Sequence, residues 1–254
     1  MRQLPIEQQI LLAVELALLL TLCVRMWASG LYKIYANFFR FLVLEFLQAL
    51  IPLLVPIQSH LYRDLFVLSD GLIVAFDALV VLELYSVILR ELQGIASLAR
   101  RYIKITLVLA IFISLLPLSI EKKPNTPTGY LFIFERPVLS SLIVFVLLIC
   151  GFLAYYPVPL GRNVIVYLAG YAIYFTAMAT MAFSQNLGYF WNRGKSDVEM
   201  SVAVGCQVFW LLALSREGEN KRVVVGHQWK PGDEERLLAQ LEAINSSLLR
   251  SGRK

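Results

Sequence analysis

Histidine is almost missing from this chain. Only His60 and His227 occur in 254 residues, and neither falls inside an apolar run. That scarcity excludes a bis-histidine haem held between helices and an intramembrane zinc hydrolase, which needs two or three histidines. It also excludes a serine–histidine pair within the helices. Charge is scarce too: Asp, Glu, Lys and Arg make up 16% of the residues, against about 25% in a soluble domain. No glycine-rich phosphate-binding loop is present. The three cysteines, Cys23, Cys150 and Cys206, all lie in apolar runs and no loop holds a pair. They read as small apolar side chains, not as a disulfide framework or a metal site. No cofactor, metal or enzymatic chemistry is expected.

The net charge of +5 and an isoelectric point near 9.1 do not point to nucleic acid. The basic residues sit between apolar runs and in the C-terminal tail, where they orient a membrane protein.

Long apolar runs are abundant. The apolar fraction is 58% and the mean hydropathy is +0.67. Seven runs stand out, at about 8–26, 33–56, 65–91, 103–120, 137–156, 162–183 and 197–215. Crossing about 30 Å of hydrocarbon takes about 20 residues. A spanning segment must also satisfy its own backbone hydrogen bonds, so each run is expected as a helix. The last is the least regular, because Asp197 and Glu199 shorten its apolar part. The alternating segments of a barrel and the halves of an inverted repeat are not visible. The first run follows only Arg2, contains Glu15 and has no small-x-small cleavage site, so it reads as a retained helix. The expected fold is all-α: a seven-transmembrane-helix bundle over residues 1–215 and a cytoplasmic helical tail over 216–254. The bilayer is the first expected partner, and the inner (plasma) membrane the expected location, with multiple passes.

Lys and Arg give the orientation. The loops on each side carry seven such residues, and Arg216, Lys221, Arg222 and Lys230 break the tie beyond the last run. The densest cluster, from Arg90 to Lys104, falls on that same side. The N-terminus is therefore expected outside and the C-terminus in the cytoplasm. Trp27, Tyr62, Tyr155, Tyr156, Tyr189 and Trp191 fall at run ends, as an interfacial belt would.

The tail changes character. Residues 216–221 read as a polar turn and 223–229 as a short extended piece. Asp233 can cap a helix, with Glu234 and Glu235 in its first turn. Leu237, Leu241, Ile244 and Leu248 then follow at i, i+4, i+7 and i+11, a single apolar stripe. The stripe could pack under the membrane domain, pair with a second copy or a cytoplasmic partner, or lie on lipid.

Each of the first three runs holds a carboxylate near its midpoint: Glu15, Glu45 and Asp77. A charge at the bilayer centre costs roughly 2.5–3.5 kcal/mol even on insertion scales. Counted from the cytoplasmic ends, the three acids lie about 11, 12 and 14 residues deep, within about 5 Å of one another at 1.5 Å per residue. On the second run Asn37, Arg40, Glu45 and Gln48 share an arc of roughly 140°. On the third, Asp70 and Asp77 stand two turns apart on one face, and Glu83 points away. Arg40 and Glu83 match in depth, which suggests a structural ion pair. Close carboxylates in low dielectric need a proton or a cation between them. Glu15, Glu45, Asp77, Asp70, Gln48 and Asn37 are thus either a site for a proton, a metal cation or a cationic amine, or polar anchors that fix helix packing. Tyr167, Tyr171, Tyr174, Met178 and Met181 form a further stripe, either an aromatic pocket or ordinary packing. Gln207 and Trp210 could reach a pocket or bridge helices.

Residues 197–215 contain no lysine, so a retinal Schiff base is excluded there. Leu89, Arg90 and Glu91 replace the Asp-Arg-Tyr pattern of eukaryotic receptors, and the last run has no Asn-Pro turn. Three stretches point elsewhere: Val81-Leu82-Glu83-Leu84-Tyr85; Tyr155-Tyr156-Pro157-Val158-Pro159-Leu160 with Arg162-Asn163; and Leu214-Ser215-Arg216-Glu217-Gly218. With Gly226-His227-Gln228-Trp229 and the run 234–241, they resemble a group of uncharacterised bacterial seven-helix integral membrane proteins. The resemblance covers most of the chain and implies no activity. The chain is similar only in outline to the seven-helix sensor modules that precede bacterial kinases. Three functions are therefore weighed: a receptor-like sensor that binds a small ligand or cation within the bundle, a proton- or cation-coupled carrier, and a membrane scaffold acting through its C-terminal helix.

Overall fold

The computed structural model describes residues 5–56, 58–90, 105, 127–155, 158–186 and 192–225. Six long helices dominate: α1 Ile6–Ser29, α2 Ala36–Leu54, α3 His60–Arg90, α4 Pro127–Tyr155, α5 Arg162–Asn186 and α6 Asn192–Ala213. A 3-10 turn (Leu31–Lys33), a short helix α7 (Arg216–Asn220) and two short strands, β1 (Val158–Gly161) and β2 (Arg222–Val225), complete the described elements. α1 stops at Gly30, which takes φ +77° and returns its N–H to Trp27 O at 3.1 Å. That left-handed position costs glycine little and a side-chain-bearing residue more.

Among the described residues, five helices are long and apolar enough to cross a membrane: Ile6–Ser29, Ala36–Leu54, His60–Leu89, Pro137–Ala154 and Arg162–Met181. The expected run at 103–120 lies outside the described residues, apart from Ile105. The run at 197–215 forms α6 but is not one of the five. Arg193, Lys195, Asp197 and Glu199 occupy its first turns, and residues 200–213 extend only about 21 Å. α4 also departs from expectation. It begins at Pro127, before the predicted start near 137, and carries Pro137 in its interior.

The outward faces are apolar. Leu54 is 77% exposed, Leu212 75% and Leu68 63%. The apolar windows of α1 and α2 are only 22% and 17% buried. In water such helices would leave large sticky patches, whereas hydrocarbon suits them.

The six helices pack in sequence order, and α6 returns onto α1, closing a ring. Three layers fill it. The middle layer is aromatic. Phe38 of α2 lies 4.8 Å from Tyr167 of α5 and 5.0 Å from Trp210 of α6, ring centre to ring centre. Tyr171 lies 5.1 Å from both Tyr167 and Trp210. Gly170 lets α6 approach this closely: a Cβ there would fall 2.1 Å from Trp210 Nε1.

A polar knot fills the end that holds the α1–α2 link. Asn163, fully buried at the start of α5, donates to Ser215 O at 2.7 Å and to Glu219 Oε2 at 3.2 Å. Its Oδ1 accepts the Ser215 N–H at 3.2 Å. Ser215 caps α7 by accepting the Gly218 N–H at 3.1 Å. Tyr35 donates to Glu219 Oε2 at 3.0 Å. Burial, then the Glu219 carboxylate, pushes its phenol well above the usual tyrosine range. Arg25 donates to the carbonyls of Leu211 and, at 2.8 Å, Leu214, closing the C-terminal end of α6. The segment expected as a polar turn is thus the one-turn helix α7. The extended piece after it pairs antiparallel with β1, Val158 opposite Val225 and Gly161 opposite Arg222. Strand β1 was not expected, since Pro157 and Pro159 read only as the stop of the preceding run. Pro159 is tolerated because a two-stranded sheet has only edge strands.

Candidate functional site

The third layer is a cavity of about 310 Å³. It lies in the half of the ring that holds the start of α1, the α2–α3 link and the start of α6. Glu15 enters from α1, Glu45 and Gln48 from α2, and Asp70 and Asp77 from α3. The three midpoint acids therefore converge, together with Asp70 and Gln48. Gln48 Nε2 donates to Asp70 Oδ1 at 3.3 Å. Asp77 is 2% exposed, and its Oδ1 has no hydrogen-bond partner.

Gln207, 1% exposed on α6, reaches the carboxylates of Glu15 and Glu45. Its amide closes no hydrogen bond of ordinary geometry there. Buried polar atoms are normally paired, because leaving one unpaired costs about 1–3 kcal/mol. Asp77 Oδ1 is therefore an unpaired acceptor in the wall of this acid-lined space, and Gln207 stands behind Glu15 and Glu45.

Four further contributors were not expected: Glu135 of α4, Glu199 of α6, and the aromatic pair Tyr62 and Phe66 of α3. Glu135 falls before the predicted start of its run. Glu199 read only as a charge that shortened the last one. Tyr62 read as interfacial. Tyr174 and Met178, members of the α5 stripe, also line the cavity. Tyr167 and Tyr171 of the same stripe belong to the aromatic layer instead.

Two placements correct the sequence reading. Glu83 does not pair with Arg40. Its Oε1 accepts the Asn37 N–H at 2.9 Å and its Oε2 the Phe38 N–H at 3.1 Å. The physical reason lies at the start of α2. Tyr35 offers that end no side-chain cap, so its free N–H groups and positive dipole end draw the carboxylate from α3. Arg40 is exposed and donates to Asn37 Oδ1 at 3.3 Å. Asn37 is thus held at the opposite end of α2 from the cavity, and it is not part of the acid cluster. Leu237, Leu241, Ile244 and Leu248 lie outside the described residues.

Among the described residues, no group of three His, Cys, Asp or Glu side chains is set to hold a metal ion. The acids are spread over the walls of the cavity. They can offer acceptors to several donors at once, with Tyr62, Phe66 and Tyr174 presenting ring faces or edges. No protein family, curated protein or solved structure matches the chain.

Proposed function

We propose that this chain is a multi-pass inner-membrane protein of seven helices, N-terminus outside and C-terminus cytoplasmic, acting as a receptor-like protein that binds a small cationic ligand within its bundle. The observation that carries this reading is the convergence of Glu15, Glu45 and Asp77, with Asp70, on one cavity. In the N-out orientation the cavity lies in the outer half, so the ligand arrives from outside. The Trp27 ring stacks on Tyr32 at 4.9 Å, with Lys33 over the latter. That group suits a membrane interface.

The receptor character rests on α6. One helix carries Gln207 beside the acids, and its far end is gripped by Arg25 in the knot that also holds the start of the tail. A ligand that repositions Gln207 acts on an element already tied to the cytoplasmic end.

The test is stabilisation of the purified protein in nanodiscs by a panel of inorganic and organic cations. Saturating ligand at 100 times its dissociation constant adds about 2.7 kcal/mol. Glu45→Gln should abolish the shift. A panel that leaves the unfolding midpoint unmoved refutes the reading. The closely matched depth of the acids favours a cation-coupled carrier as a second reading. It predicts ion-driven flux in proteoliposomes that Asp77→Asn removes, and a sealed vesicle showing binding without flux rejects it.

A further inference from the structure

Resting on the cation-binding reading above, we infer that the ligand is a short organic diammonium compound, an alkyl chain with a positive amine at each end. The pattern on α3 carries the inference. Asp70, Ile73, Val74 and Asp77 all line the cavity. They fall at i, i+3, i+4 and i+7, one face of the helix. That face reads acid, apolar, apolar, acid, the complement of ammonium, methylenes, ammonium.

The dimensions agree. Seven residues of helix separate the two aspartates by about 10 Å. Ammonium–carboxylate hydrogen bonds of about 2.8 Å at each end leave roughly 5–8 Å between nitrogens, the reach of about three to five methylene groups. Across the cavity, Glu45 accompanies Asp77 and Gln48 accompanies Asp70. Tyr62, Phe66 and Tyr174 supply aromatic wall. The unpartnered Oδ1 of Asp77, nine-tenths and more buried, marks the deep end as short of a donor.

A divalent metal ion fits less well. Calcium takes 6–8 oxygen ligands around one point, and the described acids form no such group. A single ammonium would neutralise one end of the α3 face only.

The experiment measures binding to the full chain in nanodiscs by calorimetry and thermal unfolding. The probes are straight-chain diamines from diaminopropane to diaminohexane, butylamine, sodium and magnesium. The expected result is an optimum at diaminobutane or diaminopentane, with binding at least about tenfold tighter than butylamine. Asp70→Asn, at a half-buried position, should weaken diaminobutane at least about tenfold more than butylamine, so that the two bind alike. Butylamine binding as tightly as diaminobutane overturns the two-ended ligand and leaves the cation site standing. Binding of sodium or magnesium without any amine does the same. Binding of none of these probes removes the underlying reading along with the inference.

Discussion

Glu83 offers the sharpest test of how this bundle is held together. Its carboxylate receives two backbone N–H groups at 2.9 and 3.1 Å, and Tyr167 OH stands at 3.5 Å. Hydrogen bonds to an ionised group contribute about 1.5–3 kcal/mol each, and a neutral one about 1 kcal/mol. Glu83→Ala removes both acceptors and leaves two N–H groups at the start of α2 without partners, so it should cost about 3–6 kcal/mol. Glu83→Gln keeps one oxygen and loses the charge, so it should cost about half as much. Arg40 lies exposed at the helix surface, and Arg40→Ala should stay within about 0.5 kcal/mol of the parent.

The assay is reversible unfolding in mixed micelles, run as a double-mutant cycle over Glu83→Ala and Arg40→Ala. The expected coupling is below about 0.5 kcal/mol. A coupling above about 1 kcal/mol would restore the ion pair and refute the cap. An alanine variant at Glu83 as stable as the parent would refute it as well.

Gly170→Ala should destabilise the protein by about 1–3 kcal/mol through overpacking, because its Cβ would meet Trp210 Nε1 at 2.1 Å. Gly205→Ala in the neighbouring helix meets nothing within 4 Å and should be neutral or stabilising by up to about 1 kcal/mol; equal losses at both sites would contradict the close α5–α6 approach. Tyr35 has its phenol pKa raised by burial and by Glu219. Its contribution is present below the unfolded value of about 10 and is lost as pH rises toward the higher folded value. Alkaline unfolding should therefore begin above about pH 10, and Tyr35→Phe should flatten that limb while costing about 1 kcal/mol at neutral pH. An unchanged alkaline limb in the phenylalanine variant would discard the Tyr35–Glu219 link.

The five membrane-length helices were legible because a long apolar run survives in one dimension. Convergence of Glu15, Glu45 and Asp77 was legible only as matched depth. Whether three helices turn their acids toward one axis depends on the rotation of each helix about its own axis. For α2, that rotation is fixed by packing such as Phe38 against Tyr167 and Trp210, far away in sequence. The Arg40–Glu83 assignment failed for an instructive reason. Matching opposite charges by depth ignores the backbone, yet a helix start is itself a positive partner, and Tyr35 leaves that start uncapped. Glu135 and Glu199 were overlooked because they sit where runs were expected to begin. Strand β1 was hidden because its partner lies some sixty residues away, and local pattern carries no trace of a pairing at that distance.

The two ends of the ring differ in one respect that bears on function. At the knot, every polar group of Asn163 is used: the amide donates to Ser215 and Glu219, and the carbonyl oxygen accepts from Ser215. Such a network fixes one arrangement and resists change. At the cavity, Asp77 Oδ1 and both amide atoms of Gln207 are buried without partners. Tyr171 OH and Trp210 Nε1 are unpaired as well, but they stand in the aromatic layer among ring contacts. At the cavity end the Asp77 carboxylate is an acceptor short of a donor, which is an observation the proposed cationic ligand rests on. Because α6 runs from one end to the other, whatever completes the bonding at Gln207 acts on a helix whose far terminus is already fixed by Arg25.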